Sequence, residues 1–116
     1  HPVLVAESGG GLLGYAYASV YRPRPAYRFT CEDTIYCAPE AQGRGVGTAL
    51  LSAVIDAARA FGFKQMIGVI TAESTGSIRL HEKLGFRVVG TYTEVGFKFD
   101  RWLDIVHMQR ALKAVD

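Results

Sequence analysis

The sequence predicts an α/β (α+β) fold in which one mixed, mostly antiparallel sheet is covered by helices. The segments follow the order β-β-β-α-β-α-β-β, and the longest helical segment shows a clean period of 3.6 residues. No repeat, linker or low-complexity stretch divides the 116 residues. With 49% hydrophobic and 21% charged residues, the chain can bury a core. We therefore expect a single domain over residues 1–116.

The first half of the chain is predicted to form three strands. Val3 to Ala6 and Leu12 to Tyr21 flank a glycine-rich turn, which is typical of an antiparallel hairpin. Prolines within Tyr21 to Tyr27 exclude regular structure there and predict a surface loop. Phe29 to Cys37 is the third strand. Its alternation places Glu32, Thr34 and Tyr36 on one face and Cys31, Asp33, Ile35 and Cys37 on the other.

The second half is predicted to contain two helices and three strands. Val46 to Phe61 carries an apolar stripe, formed by Val46, Leu50, Val54, Ala57 and Phe61, and Gly62 ends the helix. Ser74 to Leu84 is the second helix and is closed by Gly85. The predicted strands are Gln65 to Ile70, Phe86 to Thr93 and Trp102 to Met108.

Composition and charge disfavour nucleic acids and membranes as binding partners. The net charge is +2, and the 13 Lys and Arg residues form no run, so nucleic acid is not a favoured partner. The longest charge-free stretch, Ser8 to Tyr21, contains four glycines and is too short to span a bilayer. No basic-then-apolar leader opens the sequence. We expect a cytoplasmic protein with no membrane partner.

The two cysteines are predicted to be free thiols. Cys31 and Cys37 stand six residues apart on one strand, which separates them by roughly 20 Å, beyond disulfide reach. Neither has a Cys or His at a metal-ligand spacing, so we expect no metal. Each is interpreted as a small core residue rather than a nucleophile.

The run Gln42-Gly43-Arg44-Gly45-Val46-Gly47 precedes the first helix and predicts an anion site. Glycines let the backbone approach a phosphate closely, and the first helical turn offers unpaired N–H groups and a positive dipole end. Thr48 stands where a dinucleotide fingerprint needs glycine, and no Gly-Lys-Ser/Thr follows as in a P-loop. A cofactor with a pyrophosphate is implied; the alternative is a glycine-rich turn that merely starts a helix.

These residues resemble the GNAT family of N-acetyltransferases. Its pyrophosphate loop, Gln/Arg-x-x-Gly-x-Gly/Ala, is met by Gln42 to Gly47, and its second element, a short helix ending in Leu-Gly-aromatic, is met by Ser77 to Phe86. Five further segments resemble the phosphinothricin and methionine sulfoximine N-acetyltransferase branch of the family. They are Tyr15-Ala16-Tyr17-Ala18, the Tyr21–Tyr27 loop, Glu32-Asp33-Thr34-Ile35-Tyr36, Gly96-Phe97-Lys98 and Arg101-Trp102-Leu103-Asp104. The resemblance covers nearly the whole chain.

The resemblance implies acetyl-CoA as donor and a small amino-acid-like amine as acceptor. Its cofactor residues would be the backbone of Ile35, Tyr36 and Cys37, the loop residues Gly43, Arg44, Gly45, Val46, Gly47 and Thr48, and Ser74 and Ser77. Ser74 stands where many members of the family have Asn, which has a longer reach. The resemblance also implies that the chain lacks the N-terminal strand and helices of the family, and it makes a homodimer an expectation.

Catalytic and acceptor residues also follow from the resemblance. It pairs Glu32 with His81 in catalysis and assigns acceptor contacts to Arg22, Arg24 and Tyr27. Read without it, Glu32 is a solvent-facing strand carboxylate and His81 is a core histidine that needs a partner. The basic loop would then be solvated or would contact a CoA phosphate.

Two alternatives stay open. One is an acetyltransferase for protein N-termini or polyamines, against which the basic residues Arg22 and Arg24 argue. The other is a non-catalytic module that binds CoA.

Overall fold

The computed structural model describes residues 3–8, 11–22, 24–39, 42–43 and 45–112, and for residues 3–8 and 11–12 it describes the backbone alone. Six strands form one sheet in the order β1-β2-β3-β4-β6-β5. Among the described strands, β3 and β4 alone pair in parallel. The elements are β1 Val3–Ser8, β2 Gly11–Val20, β3 Thr30–Cys37, α1 Val46–Phe61, β4 Gln65–Thr71, α2 Thr75–Lys83, β5 Arg87–Lys98 and β6 Arg101–Ala111. The predicted fold class and element order are confirmed.

Helix α1 has the bounds that its hydrophobic period predicts. Gly62 ends it with a left-handed φ of 112° and donates its N–H to the carbonyl of Ala58. Leu50 and Val54 of the predicted stripe are buried, together with Leu51, Ile55 and Ala58. The end of the stripe was predicted wrongly, because Phe61 is 72% exposed and stacks on Phe63 instead of entering the core.

Both helices lie on the same face of the sheet. The buried face of β3 carries Cys31, which belongs to the core beneath α1, and Asp33, which contacts α2. Because side chains alternate along a strand, Glu32, Thr34 and Tyr36 point to the opposite face. Neither described helix covers that second face, which presents a stacked pair of rings, Tyr15 and Tyr36, with centroids 5.4 Å apart.

Two local predictions need correction. The proline-rich loop holds a short 3-10 turn at Pro25–Tyr27, because the fixed φ of proline suits the first position of a helical turn. The last two strands are also longer than predicted. They extend into a hairpin whose aromatic residues Phe97, Phe99 and Trp102 are 60%, 79% and 62% exposed and so lie outside the core.

The parallel pair β3–β4 is short, and its end creates a fork. Thr30, Cys31 and Glu32 pair with Gln65, Met66 and Ile67, and the ladder stops there. Beyond this point β3 stays paired with β2 up to Cys37, while β4 stays paired with β6 up to Thr71. The two strands therefore diverge in the middle of the sheet, between the starts of α1 and α2. As for membranes, neither described helix has the length and hydropathy of a transmembrane span.

Candidate active site

A cleft of about 660 Å³ opens at the fork on the helix-covered face. Its walls come from the end of β3, the glycine-rich turn before α1 and the first turn of α2. Eight of the residues predicted to bind a cofactor line it: Ile35, Cys37, Gly43, Gly45, Gly47, Thr48, Ser74 and Ser77. The cleft therefore gathers segments that are far apart in the sequence.

The backbone of β3 presents donors to this cleft at every second residue. Thr30 and Ala38 both form backbone hydrogen bonds on the side of β2. The N–H of Tyr21 donates to the carbonyl oxygen of Thr30, and the N–H of Ala38 donates to the carbonyl oxygen of Leu13. In an antiparallel pair the bonded positions alternate, so even-numbered residues of β3 face β2. The N–H groups of Ile35 and Cys37 consequently point toward the fork, whereas that of Tyr36 points to β2. The side chain of Tyr36 is 43% exposed on the opposite face.

The glycine-rich turn has the backbone that the sequence predicts for it. Gly43 and Gly45 have φ of 82° and 79°, in the left-handed region that favours glycine, and Gly45 is the N-cap of α1. Gly47 has little room for a side chain, since a Cβ atom there would lie 3.2 Å from Leu80 Cδ2. Val46 begins α1 and does not line the cleft, and the predicted Arg44 lies outside the described residues.

The start of α2 forms the facing wall. The hydroxyls of Ser74 and Thr71 lie 2.8 Å apart and share a hydrogen bond, and Ser77 lies one turn further on. The N-termini of both α1 and α2 thus face one cleft, where their unpaired N–H groups favour an anion. Gln42, the first residue of the predicted anion loop, also lines the cleft. Sequence reasoning missed the lining residues Glu73, Thr75, Gly76, Leu80 and Lys83. The position of Thr75 and Gly76 at a helix start was the available signal.

Among the described residues that line the cleft, one carries a positive charge and one carries a negative charge. Lys83 contributes a cation and Glu73 a carboxylate. The Oε1 atom of Glu73 accepts a hydrogen bond of 2.7 Å from the guanidinium of Arg101, at the start of β6. Since Arg101 offsets the charge of Glu73, the lining does not repel a polyanion as strongly as a bare carboxylate would.

Behind the cleft, His81 forms a buried pair with Asp33. Its Nε2 lies 3.0 and 3.1 Å from the two carboxylate oxygens, and its Nδ1 lies 2.7 Å from the carbonyl oxygen of Ser77. Burial by itself lowers the pKa of His81, but the hydrogen bond and charge of Asp33 together with the Ser77 carbonyl raise it above the ordinary value. The inward orientation of His81 was predicted; its partner Asp33 was not.

Glu32 and His81 lie on opposite faces of the sheet. Glu32 precedes Asp33 on β3 and points away from the helices, toward a half-buried region. Burial, followed by the charge of Asp33, raises the pKa of Glu32, although His107 and Arg22 oppose this shift. The predicted catalytic residues therefore do not meet, and Glu32 is a carboxylate with a raised pKa on the open face.

His107 is a residue of the open face that no pattern in the sequence indicated. It lies on β6, paired with Val69 of β4, and its ring is 4.6 Å from that of Tyr92. Its Nδ1 atom is buried and has no hydrogen-bond partner within the described part of the chain. Because His107 also acts on the pKa of Glu32, the two side chains share one electrostatic environment.

The predicted acceptor residues lie on the loop between β2 and β3, and none of them lines the cleft. Arg22, Arg24 and Tyr27 are exposed. The guanidinium of Arg22 packs 4.9 Å from the ring centroid of Tyr21, and a hydrogen bond to that phenol raises the pKa of Arg22. The positive charge of Arg22 acts to lower the pKa of Glu32.

The two thiols differ in their surroundings. Cys31 is buried, and burial followed by the charge of Asp33 raises its pKa to about 12. Cys37 lines the cleft, and burial raises its pKa as well. Both shifts disfavour the thiolate that a nucleophile needs. In the part of the chain that the structure describes, no three His, Cys, Asp or Glu side chains are grouped to hold a metal ion.

Comparisons with known proteins agree with this geometry. The model of the acetyltransferase (GNAT) family matches residues 1–86. The chain is 51% identical to the phosphinothricin N-acetyltransferase of Alcaligenes faecalis and 44% identical to the L-methionine sulfoximine/L-methionine sulfone acetyltransferase of Salmonella typhimurium, with 99% and 97% of this chain aligned. A putative acetyltransferase from Salmonella typhimurium, solved with its cofactor acetyl-CoA, superposes on 97% of this chain with a TM-score of 0.93 and 44% identity, over 65% of its own length. The chain spans 59% and 66% of the two relatives.

Proposed function

The chain belongs to the acetyltransferase (GNAT) family, and we propose that it moves the acetyl group of acetyl-CoA onto the amino group of a small amino-acid-like acceptor. The observation that carries the proposal is the cleft at the fork, where the N–H row of β3 faces two helix N-termini. The phosphinothricin and methionine sulfoximine acetyltransferases that the chain resembles support an acceptor of that type.

The residues of the cleft suit acetyl-CoA. The left-handed Gly43 and Gly45, followed by the first N–H groups of α1, would hold the pyrophosphate, and Arg44 would contribute from the same loop. Ile35 and Leu80 offer an apolar wall beside the strand amides for the pantetheine arm. Ser74 and Ser77 add hydroxyl groups from α2.

Bound acetyl-CoA supplies the acetyl thioester. In the proposed reaction, Glu32 accepts a proton from the acceptor ammonium, and its raised pKa makes it a stronger base than an ordinary carboxylate. The freed amine forms a C–N bond with the acetyl carbon while the C–S bond breaks, and CoA leaves as a thiolate that takes up the remaining excess proton of the amine nitrogen. The N–H groups of Ile35 and Cys37 donate to the carbonyl oxygen as negative charge develops there. The catalytic role of His81 stays a prediction.

The remaining proposals concern the acceptor and the setting of the protein. Arg22, Arg24 and Tyr27 would hold a carboxylate or phosphinate by charge-assisted hydrogen bonds. Free thiols at Cys31 and Cys37 favour the cytoplasm. A homodimer is proposed from the exposed aromatic residues of the β5–β6 hairpin, and sedimentation equilibrium tests it.

Release of free thiol from acetyl-CoA, in the full-length protein, tests the function. Phosphinothricin, methionine sulfoximine and a polyamine serve as acceptors, and calorimetry measures CoA binding. Thiol release with either amino-acid analogue supports the proposal. Glu32→Gln should then lower kcat by about tenfold or more, and it should remove the rise of activity with pH that deprotonation of Glu32 causes.

Glu82→Gln is the matched control, because Glu82 is an exposed acid of α2 outside the cleft. Its activity should equal that of the wild type. CoA binding without thiol release would contradict an enzyme and favour a binding module. Release with the polyamine alone would contradict the acceptor class.

A further inference from the structure

A buried pair of side chains lies at the point where the fork begins. The last bonded pair of the parallel ladder is Glu32 with Ile67, so the next residues along the two strands are Asp33 and Gly68. The imidazole of His81 occupies the space beside these residues. Its Cδ2 and Nε2 atoms lie 3.0 and 3.1 Å from the position that a Cβ atom of residue 68 would take. The ring therefore fills the first unpaired position of the fork.

The hydrogen bonds of His81 connect two walls of the cleft, β3 and α2. Nε2 bonds to Asp33 on β3, and Nδ1 bonds to the carbonyl of Ser77, whose residue lines the cleft on α2. The backbone carbonyl of His81 accepts the N–H of Phe86 at 2.9 Å, and the Phe86 ring packs edge-on at 4.8 Å. A displacement of this ring would change the distance between the N–H row of β3 and the start of α2.

The partners of the ring also define its protonation. A carbonyl oxygen can only accept, so Nδ1 carries a proton. If Asp33 is ionised, its carboxylate can only accept as well, and Nε2 then carries the second proton. Both ring nitrogens are engaged at 2.7 to 3.1 Å, and the two side chains are 1% and 3% exposed. The charged group that acts on His81 is Asp33. An unpaired imidazolium would be too costly at this depth, so each partner requires the other.

We propose that Asp33 and His81 form a buried ion pair that sets the width of the β3–β4 fork, which makes Asp33 a positioning residue for the CoA cleft. The inference rests on the proposed use of that cleft for CoA. It differs from a role in proton transfer, for which His81 would need a ring nitrogen free to meet the reacting atoms. Asp33 acts through His81 on Ser77 and on the spacing of the strand amides.

Nitrogen-detected NMR of the histidine rings in the full-length wild type is the first test. His81 should lose its second ring proton at a pH above 6.5, its ordinary pKa. A ring that loses one proton at its ordinary pKa would overturn the ion pair. This measurement needs neither a variant nor turnover.

The second test compares Asp33→Asn with Asp56→Asn. Asp56 is an exposed acid of α1 whose partner is Arg59, so it gives the same chemical change away from the fork. Asp33→Asn should return His81 to a singly protonated ring and should weaken CoA binding and lower kcat/KM by about tenfold to a hundredfold, because a small misplacement of binding groups is that costly. Asp56→Asn should change neither.

CoA itself is the probe, and calorimetry reads its Kd. Wild-type CoA affinity in a folded Asp33→Asn variant would overturn the positioning role even if acetyl transfer is observed. Conversely, a wild type that binds CoA and releases no thiol would contradict the proposed function, while the NMR result and the Kd of Asp33→Asn would still decide on the pair. If Asp33→Asn does not fold, the wild-type titration alone supports or overturns the pair.

Discussion

Gly68→Ala should lower the stability of the fold, because the structure shows what the added methyl group would contact. The added Cβ would meet Cδ2 of His81 at 3.0 Å, Nε2 at 3.1 Å and Oδ2 of Asp33 at 3.4 Å. His81 cannot swing away, because hydrogen bonds hold both ring nitrogens and the Phe86 ring lies against it. The methyl group must therefore push the pair or the strand by a few tenths of an ångström. Overpacking of this kind costs about 1–3 kcal/mol of folding free energy.

Urea unfolding of Gly68→Ala and the wild type measures this cost. The midpoint should fall at an unchanged m value, and the melting temperature should drop by about 4 °C for each kcal/mol in a chain of this length. Gly76→Ala is the matched control. Gly76 lies in α2 with nothing within 4 Å of an added Cβ, so alanine there should be neutral or should stabilise by up to about 1 kcal/mol.

Equal stability of Gly68→Ala and the wild type would refute the reasoning. It would mean that the ring of His81 can move at no cost, and a mobile ring could not set the width of the fork. A loss of stability in Gly76→Ala as large as that in Gly68→Ala would also refute it, since the effect would then come from glycine replacement in general.

Two further predictions concern the cofactor cleft and the buried pair. Gly47→Ala places a methyl group 3.2 Å from Leu80 and 3.4 Å from Cys37 Sγ, at the first turn of α1. Calorimetry should find CoA binding about tenfold weaker, because the methyl group displaces the N–H groups of this turn from the phosphate. Unchanged affinity would mean that α1 does not approach the anion. The pKa of His81 is raised on folding from 6.5, so its contribution to stability is complete below about pH 6.5 and is lost as pH rises through the folded-state pKa. The difference in unfolding free energy between wild type and Asp33→Asn should therefore shrink as pH rises from 6.5 upward, and a difference that stays constant would contradict the charge on His81.

Local patterns in the sequence were sufficient to predict the helices and strands and about half of the residues that line the cleft. The bounds of α1 follow from its apolar period and from Gly62, both of which are local signals. The left-handed turn at Gly43 and Gly45 is local as well. Alternation on β3 also placed Glu32 and Asp33 on opposite faces correctly.

The remaining features depend on contacts between distant segments. Asp33 and His81 are 48 residues apart, and no local period indicates that they meet. The fork begins where the parallel ladder stops after three pairs, beside the contact between Asp33 on β3 and His81 on α2. The orphan Nδ1 of His107 could not be predicted from β6 alone, since it depends on which strands flank it.

The contact between Glu73 and Arg101 couples the cleft to the β5–β6 hairpin. Glu73 belongs to the wall of the cleft, and Arg101 begins the strand that leads out of the β5–β6 hairpin. The N–H of Ala72, next to Glu73, also donates to the carbonyl of Asp104 at 2.9 Å. Ligand binding in the cleft and ordering of the hairpin should therefore be coupled through this contact. The coupling free energy is reciprocal: it is the same for the effect of binding on the hairpin and for the effect of the hairpin on binding. Since the ion pair is exposed, it transmits no more than about 1 kcal/mol, so amide hydrogen exchange in the hairpin should slow only modestly when the cleft is filled.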